Sequence, residues 1–468
     1  MALPCFFVQW KPLFSDREIS LGPPAPTFDQ EPAKVAAAYG VHVVLYGRLH
    51  GTAAITLLGD AIDHPDRVSR QRDVDPAAGL SGAGGRCSLR LGGEAVKMAT
   101  RASPSGFTVR TAGPKVERLL ASGDVYSAAL AFLDGRIDIE GDLFAALGEL
   151  TAKPRRGPRH WLHTALARLW RLRPEAWYQS RARARANIEF HYDHDPEFYR
   201  QFLDERLVYS CAYFEQPGMT LDQAQAAKLD LICRKLDLRS GERFLDVGCG
   251  FGALVAHAAE RYGAQATGCT LSRRQFETAG RMLGERGLGG RASVVLADYR
   301  DLGGSFAKIA SVGMFEHVGV RRLGGYFAKV HALLAPDGLF LNHGIVRPET
   351  VKPGADWVFC QRKVFPGVDL PHLSEVVREA EEAGFEVVDV ENLRPHYART
   401  CRAWVERLRA HEDACRKLVG RAVHRAWVLY LAVSALNFEA SWTEVHQVLL
   451  AKRSNPQARR WTRRYMYA

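Results

Sequence analysis

Apolar residues gather in short runs over the second half of the chain, at 243–247, 264–269, 292–297, 307–313 and 338–345. Between successive runs the apolar positions recur at helical spacing. Short continuous runs read as strands buried on both faces, and regular strand–helix alternation implies a parallel sheet with right-handed crossovers. The predicted fold is therefore α/β: a doubly wound, mostly parallel sheet, with a smaller N-terminal domain and C-terminal helices. Beyond residue 370 the pattern predicts a helix, a short strand at "FEVVDVENL" (385–393) and long helices through 402–452. The basic tail "RSNPQARRWTRRYMYA" (453–468) reads as loose.

The first 90 residues carry little pattern. Pro23–Pro26, Asp60–Asp75 and "GLSGAGGRC" (79–87) read as loops or linkers around one apolar run near His42–Leu58. Residues 91–150 are more regular, and "SAALAFLDGRIDIEGDLFAALGEL" (127–150) predicts a small α+β or helical domain. A basic linker over 151–186 and a catalytic domain over 187–468 complete the division, and no internal repeat is visible.

Composition narrows the class. Hydrophobic residues make up 47% of the chain, enough for a large core. The nine cysteines show no C-x-x-C pair, which points to reduced thiols and a cytoplasmic home. "MALPCFFVQWKP" lacks the basic start of a signal peptide, and no window is long and apolar enough to span a bilayer. A soluble or peripheral protein is expected. The net charge of +11 calls for an anionic partner. Its densest stretch, 153–185, holds a single acid, Glu175, and places Trp161, Leu162, Leu166, Leu169 and Trp170 at helical spacing between arginines. Such a segment suits an anionic membrane surface. It equally suits a helix packed on its neighbour with a solvated arginine face, and periodicity does not separate the two.

The stretch "RFLDVGCGFGALV" (243–255) is a strand, a glycine turn and the start of a helix. Gly248, Gly250 and Ala253 satisfy the dinucleotide fingerprint, so the pattern alone is ambiguous. Asp246, two residues before the first glycine, would repel a pyrophosphate and suits a ligand bearing an ammonium group. The second strand, "AQATGCTLS" (264–272), ends in Cys269, Thr270 and Leu271, without the acid that dinucleotide folds use for the ribose. Both features favour S-adenosylmethionine over NAD.

Six motifs, "VYSCAYFE" (208–215), "FLDVGCGFG" (244–252), "TLSRRQ" (270–275), "ADYRD" (297–301), "VGMFEHVG" (312–319) and "LNHGI" (341–345), stand in the order and spacing of the cyclopropane-fatty-acid synthases. The chain resembles this family, which is related to the mycolic acid cyclopropane synthases, over about 187–452, with a fainter echo in 118–145. The resemblance implies a class I methyltransferase sheet and S-adenosylmethionine as methyl donor. It implies as substrate the cis double bond of an unsaturated phospholipid acyl chain; such a substrate and the basic charge together lead us to expect docking on an anionic membrane surface, on its inner face. Methyl transfer to an alkene leaves a carbocation, which must be shielded from water and deprotonated as the ring closes. The resemblance implies a bound bicarbonate as the base, held by Cys211, Glu316, His343, Ile345 and Tyr397. It places Tyr209, Ser210, Asp246, Gly248, Gly250, Gly252, Thr270, Leu271, Ser272, Gln275, Tyr299 and Arg300 around the cofactor. A homodimer is the family's expectation. Taken singly, a His or Glu at a strand end is usually a structural hydrogen-bonder; matched together they read as a site. Tyr213, Phe214, Phe251 and Phe315 are candidates to stabilise a cation through their ring faces, or simply core.

The chain departs from the family at Asp195 and Pro196, at Lys363, and at Ser434, where relatives keep a cysteine. These changes leave the product open between a ring and a methyl- or methylene-branched chain, and leave a small-molecule acceptor in play. A nucleic-acid methyltransferase is the rival class. Amino-methylating enzymes place an Asp/Asn-Pro-Pro-aromatic tetrapeptide where this chain has "GMFEHVG", and the lone Thr-Cys candidate, Thr400-Cys401, falls in the C-terminal helical region. No nucleic-acid partner is expected.

Overall fold

The computed structural model describes residues 106–152, 180–351, 355–453 and 460–467, together with the backbone of a few strands before them. The chain divides into two units, Met1–Ser81 and Gly82–Ala468. In the first, the two-residue strands β1 (Val43–Val44) and β2 (Thr56–Leu57) pair antiparallel. The rest of the N-terminal segment, and the basic stretch over 153–179, lie outside the described residues.

The second unit opens with an antiparallel sheet of β3 (Arg86–Leu91), β4 (Glu94–Ser103), β5 (Phe107–Thr111) and β6 (Ile137–Gly141), in that order. Strand β3 begins inside a stretch the sequence pattern reads as loop. Helices Pro114–Ala121, Val125–Leu133 and Leu143–Ala152 accompany this sheet. Asp124 caps the middle one by accepting from Ser127 N at 3.1 Å. This module is fastened to the rest by Arg425, a buried guanidinium that donates to Phe132 O, Ile137 O and the Asp138 carboxylate.

The main sheet has seven strands: β7 (Arg243–Val247), β8 (Gln265–Thr270), β9 (Ala292–Leu296), β10 (Phe306–Val312), β11 (Leu334–Val346), β12 (Phe385–Asn392) and β13 (Glu444–Lys452). Their spatial order is β12-β13-β11-β10-β7-β8-β9. Pairings among β7 to β11 are parallel, while β13 runs antiparallel between β11 and β12. Strand order reverses between β7 and β10, and open α/β sheets hold their ligands beyond the carboxyl ends of strands at such a reversal.

Two expectations for the C-terminus are corrected. The helix Glu412–Glu439, interrupted at Gly420 (φ +77), ends well before 452, and residues 444–452 form β13 in place of helix. "VLLA" (448–451) carries no alternation because both faces of a central strand are buried, and such a run is indistinguishable from a buried helix by periodicity. The tail is also held. Arg460 pairs with Asp237 at 2.7 Å, Arg463 with Asp389 at 2.6 Å, and Met466 is buried. Among the described residues no helix is long and apolar enough to cross a membrane.

Candidate active site

Two cavities share one lining residue, Tyr209, and the first lies at the sheet's reversal point. The first is a cleft of about 150 Å³ over the ends of β7, β8 and β10. Its floor is the glycine turn. Gly248 (φ +80) occupies a conformation that costs L-residues energy, and a Cβ there would fall 2.7 Å from Met314 Cγ. Only a bare backbone lets β7 turn this close to the loop after β10.

Asp246, at the end of β7, is 3% exposed, and its Oδ1 has no partner. Burial pushes its carboxyl up to about 7, against the pull of Lys228. Thr270 Oγ1 donates to Gln275 Oε1 at 2.8 Å, which leaves the Gln275 NH2 as the free donor of that amide. Tyr299 lies edge-on to Tyr326 at 5.6 Å. Asp298 fixes Arg300 by accepting from its Nε at 2.8 Å. Tyr209, Ser210, Gly250 and Leu271 line the same cleft. Gly252 and Ser272 do not. They start the helices Ala253–Tyr262 and Arg273–Glu285, and the Ser272 hydroxyl donates to Asp193 Oδ1 at 2.6 Å.

The second cavity, about 920 Å³, is walled mainly by apolar side chains of the N-terminal module and of the helices Ala355–Lys363, Arg394–Ala410 and Glu412–Glu439. Tyr209 lines both cavities, and Ile345 and Tyr397 line the second. Ser434 is in this wall, with its hydroxyl satisfied by Tyr430 O at 2.8 Å. Asp195 caps the helix Pro196–Arg200, with Pro196 in its first turn, and Lys363 ends the helix Ala355–Lys363.

Cys211 and Glu316 are buried, and burial pushes the phenol pKa of Tyr397 well above its usual range. Glu316 sits on a short 3-10 turn after β10, where its Oε1 accepts from Ile345 N at 2.7 Å. Its Oε2 is unpaired, and burial pushes the carboxyl up to about 7. The Ile345 amide is thus spent on Glu316. His343 lies within β11, opposite Gln447. The Gln447 amide nitrogen faces His343 Nδ1 at 3.2 Å; it can only donate, so Nε2 carries the ring proton and is buried without a partner. Burial holds this imidazole well below its usual range, and so neutral. Cys211 Sγ is occupied by the Ala212 carbonyl at 3.3 Å, and burial raises its pKa, so it is no thiolate.

Of the candidate aromatic residues, Phe251 lines the cofactor cleft. Tyr213 packs on His396, Phe214 under Arg399, and Phe315 within the core on the other side of β11. The rings that line the cleft with Phe251 are Tyr192, Tyr209 and Tyr299, with the imidazole of His317. Tyr192 and His317 went unrecognised in the sequence, as did Lys228. The signal for Lys228 was available: it falls on the apolar stripe of the helix Leu221–Lys235, in step with Leu221, Ala224 and Ile232, where a lysine needs a reason.

A parallel sheet with one antiparallel strand, a glycine turn after its first strand and an unpaired buried carboxylate beneath that turn define a class I S-adenosylmethionine-dependent methyltransferase. The cleft fits that cofactor: Asp246 offers an orphan oxygen to an ammonium group, and the bare glycine turn admits close approach. Residues 179–448 match the family model for mycolic acid cyclopropane synthetase, and the chain belongs to that family. It is similar to a probable fatty acid methyltransferase of Pseudomonas putida, 39% identical over 77% of this chain and 91% of that protein. It is 35% identical to the cyclopropane mycolic acid synthase MmaA2 of Mycobacterium tuberculosis, over 57% of this chain and 96% of the relative. Among solved structures, the mycolic acid cyclopropane synthase CmaA1 complexed with SAH and CTAB is 35% identical, with a TM-score of 0.55 over 57% of this chain and 98% of that one.

Proposed function

We propose that the protein transfers a one-carbon unit from S-adenosylmethionine to the cis double bond of an unsaturated phospholipid acyl chain and closes a cyclopropane ring. The observation that carries this reading is the mostly apolar cavity of about 920 Å³ that shares Tyr209 with the cofactor cleft. A mostly apolar cavity of that size accommodates an alkyl chain. The relatives named for fatty acid and mycolic acid chemistry support an acyl substrate. The net charge of +11 supports an anionic bilayer as its source.

S-adenosylmethionine supplies a strongly electrophilic methyl group. Asp246, Ser210, Thr270, Gln275 and Tyr299, which line the cleft, would hold and orient it, and the apolar wall would fix the alkene beside it. Removing a proton from the alkylated chain requires a base in a dry site. Bicarbonate, of suitable basicity, is the base this reading assigns, and the buried groups with hydrogen-bonding capacity left for it are these. His343 Nε2–H and a protonated Glu316 Oε2 are unpaired donors, and Tyr397 adds a hydroxyl whose burial keeps it protonated. Cys211 lines neither cavity and is no thiolate; its Sγ donates to the Ala212 carbonyl.

Purified protein, S-adenosylmethionine and vesicles of cis-unsaturated phospholipid test the reading. Released fatty acids are weighed before and after mild hydrogenation. A product one CH2 heavier that takes up no hydrogen supports a ring. The same gain with hydrogen uptake would make the protein a branching methyltransferase, the reading that the Pseudomonas relative's name favours. No gain on any lipid by a protein that binds SAH would overturn the acyl substrate.

A further inference from the structure

Lys228 is 1% exposed yet lines the cofactor cleft. Its Nζ donates to Ser210 Oγ at 2.8 Å, and it makes no ion pair among the described residues. Burial lowers its pKa to about 8, so the ammonium remains charged at neutral pH. An ammonium has three donors and a strong requirement for an anion once it is buried. Asp246, in the same cleft, is the complementary case, a carboxylate with an oxygen left unpaired. An ammonium with spare donors and a carboxylate with a spare acceptor together match the amino-acid zwitterion.

The contact with Ser210 has a direction. A lysine ammonium donates and never accepts, so Ser210 Oγ is the acceptor and its own O–H must point to another acceptor. The loop is held for this purpose from the same helix: Gln225, one turn before Lys228, donates through its amide to Ser210 O at 2.8 Å. One helix face therefore fixes both the backbone and the hydroxyl of Ser210.

We propose that Lys228 is a positioning residue for the carboxylate of the bound cofactor's amino-acid end, acting through the Ser210 hydroxyl. This rests on the cofactor reading above. Ligand binding by calorimetry tests it with two nucleosides: S-adenosylhomocysteine, which carries the amino acid, and 5′-methylthioadenosine, which lacks it. Lys228→Met should weaken S-adenosylhomocysteine by about 10- to 100-fold and leave 5′-methylthioadenosine within about twofold. Ser210→Ala should show the same asymmetry, and the double variant should lose no more than the worse single one. Should the methionine variant fail to fold, Ser210→Ala carries the test alone. Equal weakening of both nucleosides, or of neither, would overturn the proposal while leaving the cofactor reading intact. Wild-type protein that binds neither nucleoside would end both.

Discussion

Replacing Gly344 by alanine should disable the site without emptying the cofactor cleft. Gly344 lies on β11 between His343 and Ile345, and a Cβ there would fall 1.7 Å from Cε1 of Phe315. Ordinary carbon contacts lie at about 3.5–4.0 Å, so the ring must move by roughly 2 Å. Phe315 is buried and precedes Glu316 on the same short turn, so the displacement reaches the 2.7 Å bond between Ile345 N and Glu316. Overpacking costs about 1–3 kcal/mol. Loss of the buried hydrogen bond brings the total to roughly 2–5 kcal/mol. Urea denaturation should show a lower midpoint with an unchanged slope. Turnover on unsaturated vesicles should fall by on the order of 100-fold, a transition-state loss of about 2.7 kcal/mol. Affinity for S-adenosylhomocysteine should stay within several-fold, because the glycine turn stands on β7. Gly280→Ala is the control: nothing lies within 4 Å of its Cβ in a helix interior, and it should gain roughly 0.5–1 kcal/mol. Wild-type stability and turnover in Gly344→Ala would refute the claim that the Phe315–Gly344 approach sets the position of Glu316.

The pH dependence of stability should carry the mark of Glu316 and Asp246, both raised to about 7 by burial. Between pH 5 and 7 the folded state keeps protons that the unfolded chain has released, so their contribution is complete at lower pH and is lost as pH rises through 7. His317, held down to about 4 by burial, acts in the opposite sense, so the observable is the difference between variant and wild type. Glu316→Gln should reduce the proton uptake on folding in that window by nearly one, measured by denaturation at several pH values; an unchanged difference would place Glu316 in contact with water. Ala129→Trp, in the cavity wall contributed by the N-terminal module, should cut turnover on long acyl chains at least about tenfold, a loss of roughly 1.4 kcal/mol in transition-state binding. Calorimetry should find its cofactor affinity unchanged, and a fall in both would mean that the module supports the fold rather than the substrate.

The sequence by itself determined the parallel half of the sheet, because strands buried on both faces leave short, mostly apolar runs, and the glycine turn, because its geometry excludes side chains. It determined the choice of S-adenosylmethionine over a dinucleotide through the sign of the charge at Asp246. Tertiary structure decided what local pattern does not encode. Strand β13 is a strand because β11 and β12 flank it, and its apolar run would have served a buried helix as well. The tail is held by charges distant in sequence, Asp237 and Asp389, whose pairing no periodicity reveals. The cleft aromatic residues were chosen by packing: Phe315 turns into the core, whereas Tyr192, from a helix over a hundred residues away, stands beside His317. Lys228 lies between these cases. Its helix position marked it as buried, but only the approach of the Val208–Ser210 loop shows what its charge faces, because desolvation and partnership are properties of the folded neighbourhood.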